Sequence, residues 1–259
     1  MKKMTSQKRS YSTIALPLRE NVLPKMAVLA RSGLFLQPRH PDGENPHPSW
    51  DYQTMNQYLA DSALAARGIF SLIGDDEVVL LAKQHELESA AMRRASAQAI
   101  LHLGAPTTGS GEDSTPYFEK KVRDARREIS QLKDHTAVLE AAILAKETSV
   151  QALAAAILQI AKQGIAIVRG NLTACPPGRP IGRELLKNVI WQARNQSMHW
   201  DENSYRPAVI KCFANLRLDF GGEYQLPSSS PKCIAKQILH LIGWTDYASY
   251  ENDMVSLLG

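Results

Sequence analysis

The sequence predicts an all-α protein: a helical bundle with a long coiled-coil-like helix or helical hairpin, and the chemistry in its C-terminal part. Three observations predict it. Phe118, Val122, Ala125, Ile129, Leu132, Thr136, Leu139 and Ile143 step four, three, four, three, and the register continues through Val150, Leu153, Ile157, Ile160 and Ile167. A sustained apolar heptad is the seam of a coiled coil or bundle. Residues 50–104 carry a second pattern of three- and four-residue apolar steps. No alternation of strand and helix patterns, no P-loop and no glycine-rich dinucleotide fingerprint occurs anywhere in the chain.

Composition bounds the rest. Of 259 residues, 44% are apolar and 22% charged, which excludes a disordered chain and allows a sizeable core. A net charge of +4 is mildly basic and compatible with an RNA partner. Cys175, Cys212 and Cys233 stand far apart, with no CxxC pair and no histidine at ligand spacing, so reduced thiols are expected rather than disulfides or a metal site. Lys2, Lys3, Lys8 and Arg9 have no apolar core behind them, and no run approaches the roughly 18 apolar residues of a membrane span. The expectation is a soluble, cytoplasmic protein without a membrane partner.

Residues 1–49 read as an irregular proline-rich segment, with one short helix from Pro24 to Ser32 ended by Gly33. His40 and His47 fall in a solvated loop, since no cysteine or acidic pair completes a ligand set. Residues 50–104 read as a helical hairpin: Tyr52, Met55, Tyr58 and Leu59 open the first helix, and Gly74-Asp75-Asp76 turns the chain. The second helix runs to Gly104 on a face rich in alanine. Residues 105–116, APTTGSGEDSTP, are the clearest linker and a domain boundary.

Residues 117–259 then form one helical domain. Thr148-Ser149-Val150-Gln151 has the form of a capping box and divides 117–147 from 149–169, although one unbroken helix also fits. Lys120, Lys121, Arg123, Arg126 and Arg127 alternate with Glu119, Asp124 and Glu128, the pattern of a solvated face. After a loop at 170–180, Pro180 suits the first turn of the next helix. Ile181, Leu185, Leu186, Val189, Ile190 and Ala193 make its core face. Arg183, Lys187 and Arg194 fall on the opposite arc with Trp191 beside them, a stripe suited to phosphate contact and base stacking. Further helices are expected at 205–218, with Val209, Ile210, Phe213 and Leu216 inward, at 231–242 and at 247–258.

The candidate site is Ala193-Arg194-Asn195-Gln196-Ser197-Met198-His199-Trp200, at the end of that helix. Arginine offers a fixed fork of donors to phosphate oxygens, and histidine moves protons near neutral pH. Five residues apart on an ideal helix, Arg194 and His199 differ by about 140°. They can share a phosphate only if the helix ends between them or a second chain completes the site. Asp201, Glu202, Asn203 and Ser204 have helix-ending composition, so His199 is expected at a terminus. His85, His102, His135 and His240 read as core or surface residues.

Arg194, Asn195 and His199 resemble the Arg-four-residues-His signature of the HEPN superfamily, all-helical domains that are mostly metal-independent ribonucleases. The resemblance extends over about residues 117–259. It implies His199 in proton transfer, Arg194 on the scissile phosphate and Asn195 in support, without a cofactor, with 2′,3′-cyclic phosphate and 5′-hydroxyl products. It also implies a homodimer in which two motifs face each other. Its biological setting would be that of a toxin or phage-defence effector restrained by a regulatory protein or nucleotide. The chain departs from HEPN toxins paired with nucleotidyltransferase antitoxins, where a tyrosine follows the histidine by two residues; here Asp201 stands there. Two rival functions remain: a non-catalytic HEPN-like module that binds RNA or a nucleotide, and a coiled-coil interaction protein.

Overall fold

The structure, a computed structural model, describes residues 52–102, 114–202, 204–226 and 232–259. Contacts divide the chain into Met1–Pro48 and Ser49–Gly259, and every described residue belongs to the second unit. The proline-rich segment, its short helix, His40 and His47 lie outside the described residues, as does most of the 105–116 linker.

The described residues form an all-α bundle. Two long helices, α1 (Tyr52–His102) and α2 (Ser114–Arg169), precede four shorter ones, α3 (Leu186–Met198), α4 (Pro207–Phe220), α5 (Ala235–Leu241) and α6 (Tyr247–Leu258). A two-stranded hairpin, β1 (Pro180–Ile181) and β2 (Glu184–Leu185), is the only sheet among them.

α1 and α2 pack antiparallel along their length. Tyr58 donates its hydroxyl to the Ile160 carbonyl, Ser149 Oγ lies 2.7 Å from Asp76 Oδ2, Glu86 meets His135 at 3.1 Å and Arg93 meets Glu128 at 2.9 Å. Each step up α1 is thus a step down α2. The heptad seam finds its partner inside the chain, with Ala125, Leu132, Leu139, Val150 and Ile157 buried. It is therefore not a free dimerisation surface.

Residues 50–104 do not fold back on themselves. α1 passes through Gly74 without a break, because Phe70, Ile73 and Leu80 are all buried on one face, and that packing holds the glycine helical. Asp76 starts no helix; its carboxylate takes Lys146 and Ser149 of α2, which hold its pKa below the usual carboxylate range. α2 is likewise one helix. Thr148 does not cap a second one, since its hydroxyl bonds back to the Leu144 carbonyl at 2.8 Å, while Ser149 is taken by Asp76.

α2 also carries an eighteen-residue stretch apolar enough, by length and composition, to cross a membrane, where the sequence expectation was that none exists. Few charges and many alanines make the stretch. Val150, Ala154, Ile157, Leu158, Ala161, Ile165 and Val168 of the same helix are buried in the core, against the shorter helices as well as α1.

Pro180 starts no helix either. Residues 180–185 turn back through Gly182, whose φ of 58° suits glycine, and a Cβ there would collide with the Asp219 carboxylate. The helix begins only at Leu186, so Leu185 leaves the core face while Ile181, Leu186, Val189, Ile190 and Ala193 keep it. In α4, Val209, Phe213 and Leu216 point inward as expected, but Ile210 is half exposed. α6 spans the expected residues. All three cysteines are free, and burial pushes the Cys212 thiol up to about 12.

Candidate functional site

The site is built at the C-terminal end of α3. Helical conformation stops at Met198. His199 takes φ −127° and ψ 22°, its N–H bonding back to the Gln196 carbonyl at 3.3 Å. The helix therefore ends between Arg194 and His199, which releases the imidazole from the spacing that would have set the pair apart. Arg194, Asn195 and His199 line a single cleft of ≈ 430 Å³ within one chain.

Each side chain is held from a different element. The Arg194 Nε donates to the Gln159 amide oxygen of α2, and among the described residues its two terminal nitrogens have no protein partner. Burial lowers its pKa from the ordinary arginine value. The Asn195 amide nitrogen lies 3.4 Å from Gln192 Oε1. His199 Nδ1 lies 2.7 Å from Glu202 Oε1, in the loop that follows. That loop leads through Tyr205 into α4, which starts at Pro207 with no side-chain cap.

Two cations join Arg194 in the cleft: Lys162 from α2 and Arg206 from the start of α4. The Lys162 ammonium lies 4.6 Å above the Trp191 ring. Its pKa is held down first by burial and then by the charges of Arg194 and Arg206. Neither cation belongs to the motif, and neither was singled out by sequence. One signal for Lys162 exists in hindsight, a charge inside the most apolar stretch of α2.

The predicted stripe of Arg183, Lys187, Trp191 and Arg194 does not form as a unit. Arg183 belongs to the hairpin turn and pairs with Asp219 at 2.7 Å. Lys187 Nζ reaches the Cys175 carbonyl at 2.6 Å. Neither lines the cleft. Trp191 has Lys162 over one ring face, so that face supports a cation rather than a base. The remaining described histidines are surface residues; His135 faces Glu86, and His240 faces Glu77.

A larger hollow of ≈ 860 Å³ lies between α1, α2 and α5 and reaches Trp200. Its charges are of both signs, and Lys236 and His240 both bind Glu77 there. In the smaller cleft three cations, Lys162, Arg194 and Arg206, face a single carboxylate, Glu202, and His199 stands beside them.

Comparison of the chain with protein-family models, with curated proteins and with solved structures finds no match in any of the three. The family resemblance thus rests on the motif and its setting.

Proposed function

We propose that the chain is a metal-independent endoribonuclease of HEPN type, acting as a dimer on RNA in the cytoplasm, as a toxin or phage-defence effector. The observation that carries this reading is the convergence of Arg194, Asn195 and His199 on one cationic cleft.

The cleft suits cleavage by internal transesterification. With its Nδ1–H given to Glu202, His199 carries a lone pair on Nε2, and this nitrogen takes the proton of the 2′-hydroxyl. The O2′–P bond forms and the P–O5′ bond breaks. The leaving 5′-oxygen takes a proton from an imidazolium, supplied by the same histidine of a second copy. Glu202 steadies the positive ring that forms. The terminal nitrogens of Arg194 offer a planar pair of donors to the phosphorane oxygens. The products are a 2′,3′-cyclic phosphate and a 5′-hydroxyl. Met198 and Trp200, on either side of His199 in the chain, are 50% and 38% exposed, and a dimer joined at the C-terminal end of α3 would cover them.

The test is cleavage of single-stranded RNA by purified protein in EDTA, with cyclic-phosphate ends assayed. The wild type should cut, and Arg194→Ala and His199→Ala should each lose about 100-fold or more. A wild type that binds RNA without cutting it would leave the non-catalytic module in its place. Equal cutting by both variants would assign the activity to something other than this cleft.

A further inference from the structure

Lys162 is an expensive residue where it stands. Leu158, Ala161 and Ile165 around it on α2 are completely buried, and no carboxylate pairs with it among the described residues. Its ammonium is instead held over Trp191 and directed into a cleft that already contains Arg194 and Arg206. Three like charges in one hollow repel one another, and a lysine partly out of water adds a desolvation cost. The one acidic residue lining the cleft, Glu202, is engaged by His199. The fold thus gathers three positive charges against one carboxylate among the described residues and leaves an excess of two, which is the electrostatic character of a site completed by an anion.

The amount of charge says which anion. A phosphodiester carries one negative charge, and the Arg194 fork alone can meet it. Lys162 from α2 and Arg206 at the start of α4 then face only Glu202, so one phosphodiester leaves the excess charge half met. The cleft volume of ≈ 430 Å³ is that of a site for a ligand larger than one phosphate.

We infer that the cleft holds two consecutive phosphates of a single RNA strand, Arg194 on the reacting one and Lys162, backed by Trp191 and joined by Arg206, on its neighbour. This rests on the cleft assigned above and specifies its substrate: an oligonucleotide with at least two phosphodiesters, rather than a dinucleotide or a free mononucleotide. Lys162 is then a substrate-binding residue, and Trp191 a positioning residue that fixes the ammonium. Both the lowered pKa of Lys162 and the mutual repulsion are relieved when the strand binds.

The experiment is binding of labelled single-stranded RNAs with one, two or four phosphodiesters to the full-length His199→Ala protein, between 50 and 200 mM salt. Affinity should rise about tenfold from one phosphodiester to two and little beyond. Lys162→Met should abolish that step and reduce the slope of log K against log salt by about 0.7, one phosphate contact on a single strand. Lys162→Arg should retain the step. The melting temperature of Lys162→Met should equal or exceed that of the parent, whereas a lysine with a merely structural role would lower it. An unchanged step and slope in Lys162→Met would overturn the inference, even if the wild type cuts RNA. A wild type that shows the step and slope but cuts nothing would overturn the ribonuclease reading and leave the two-phosphate cleft standing.

Discussion

Gln196 sets the end of the motif helix, although the motif itself names its neighbours. Its side chain is completely buried, with the amide nitrogen 2.8 Å from the Lys232 carbonyl and the amide oxygen accepting the Ile234 N–H at 3.4 Å. The same nitrogen lies 3.5 Å from the Tyr205 hydroxyl, which reaches the Trp200 carbonyl at 3.4 Å. The last turn of α3 is thereby tied to the segment before α5 and to the loop that carries His199 and Glu202. Gln196→Leu keeps the bulk but strands a buried N–H and a carbonyl, so it should cost about 1–3 kcal/mol in urea unfolding. It should also weaken RNA cleavage more than Asn195→Ala does, because the loop would lose its anchor. An unchanged unfolding midpoint would show that the amide is dispensable. At this scale the sequence revealed the residues whose relation is local. Arg194 and His199 are five apart, and their helix end could be read from the composition that follows. Gln196 bonds to residues 36 and 38 positions later, and Lys162 sits over a tryptophan 29 positions later. No spacing rule reports such contacts, and they are what shape the cleft.

Among the elements, the pairing of α1 with α2 depends on an absent side chain. A Cβ on Gly164 would lie 2.6 Å from Tyr58 Cε1 and 3.1 Å from Met254 Cε. The Tyr58 ring cannot swing aside freely, because its hydroxyl is bonded to the Ile160 carbonyl. Burial pushes the Tyr58 pKa well above the ordinary phenol value, so it remains a neutral donor. Gly164→Ala gains about 1 kcal/mol of helix propensity and loses about 1–3 kcal/mol to overpacking. The net effect should be destabilising in thermal unfolding. In a Tyr58→Ala background the clash is gone from that side, and the same substitution should stabilise; the same sign in both backgrounds would exclude this close contact. In the sequence Gly164 stands between Ile160 and Ile167 where the heptad asks for an apolar residue, and nothing there marks its close contact. The seam itself was legible because its period is a property of one helix. Gly74 and Thr148 misled for the complementary reason: their local preferences for a turn and a cap are outweighed by packing along the facing helix, which no single-helix pattern contains.

For the whole unit, the filled seam changes where a dimer can form. α1 occupies the apolar register of α2, so a second copy must join elsewhere. Leu64, 85% exposed, is one of several exposed apolar residues of α1, with Leu72, Val78, Leu81 and Met92, whereas Met198 and Trp200 flank the catalytic candidate. Ile210, half exposed, lies in the first turn of α4, next to Val209, which lines the cleft. An interface over this rim would bring two clefts together and give each histidine the proton partner that the proposed reaction needs. Light scattering should therefore give a mass of twice 28.6 kDa for the wild type. Trp200→Asp and Met198→Asp should halve it with the helical circular dichroism unchanged, and cleavage should fall with the dimer. Leu64→Asp should leave both mass and cleavage as they are. A monomeric wild type that still cuts RNA would place the second proton transfer within one chain. Lys162, Glu202 and Tyr205, other titratable groups of the cleft that can act as acids, would then be the residues to substitute next.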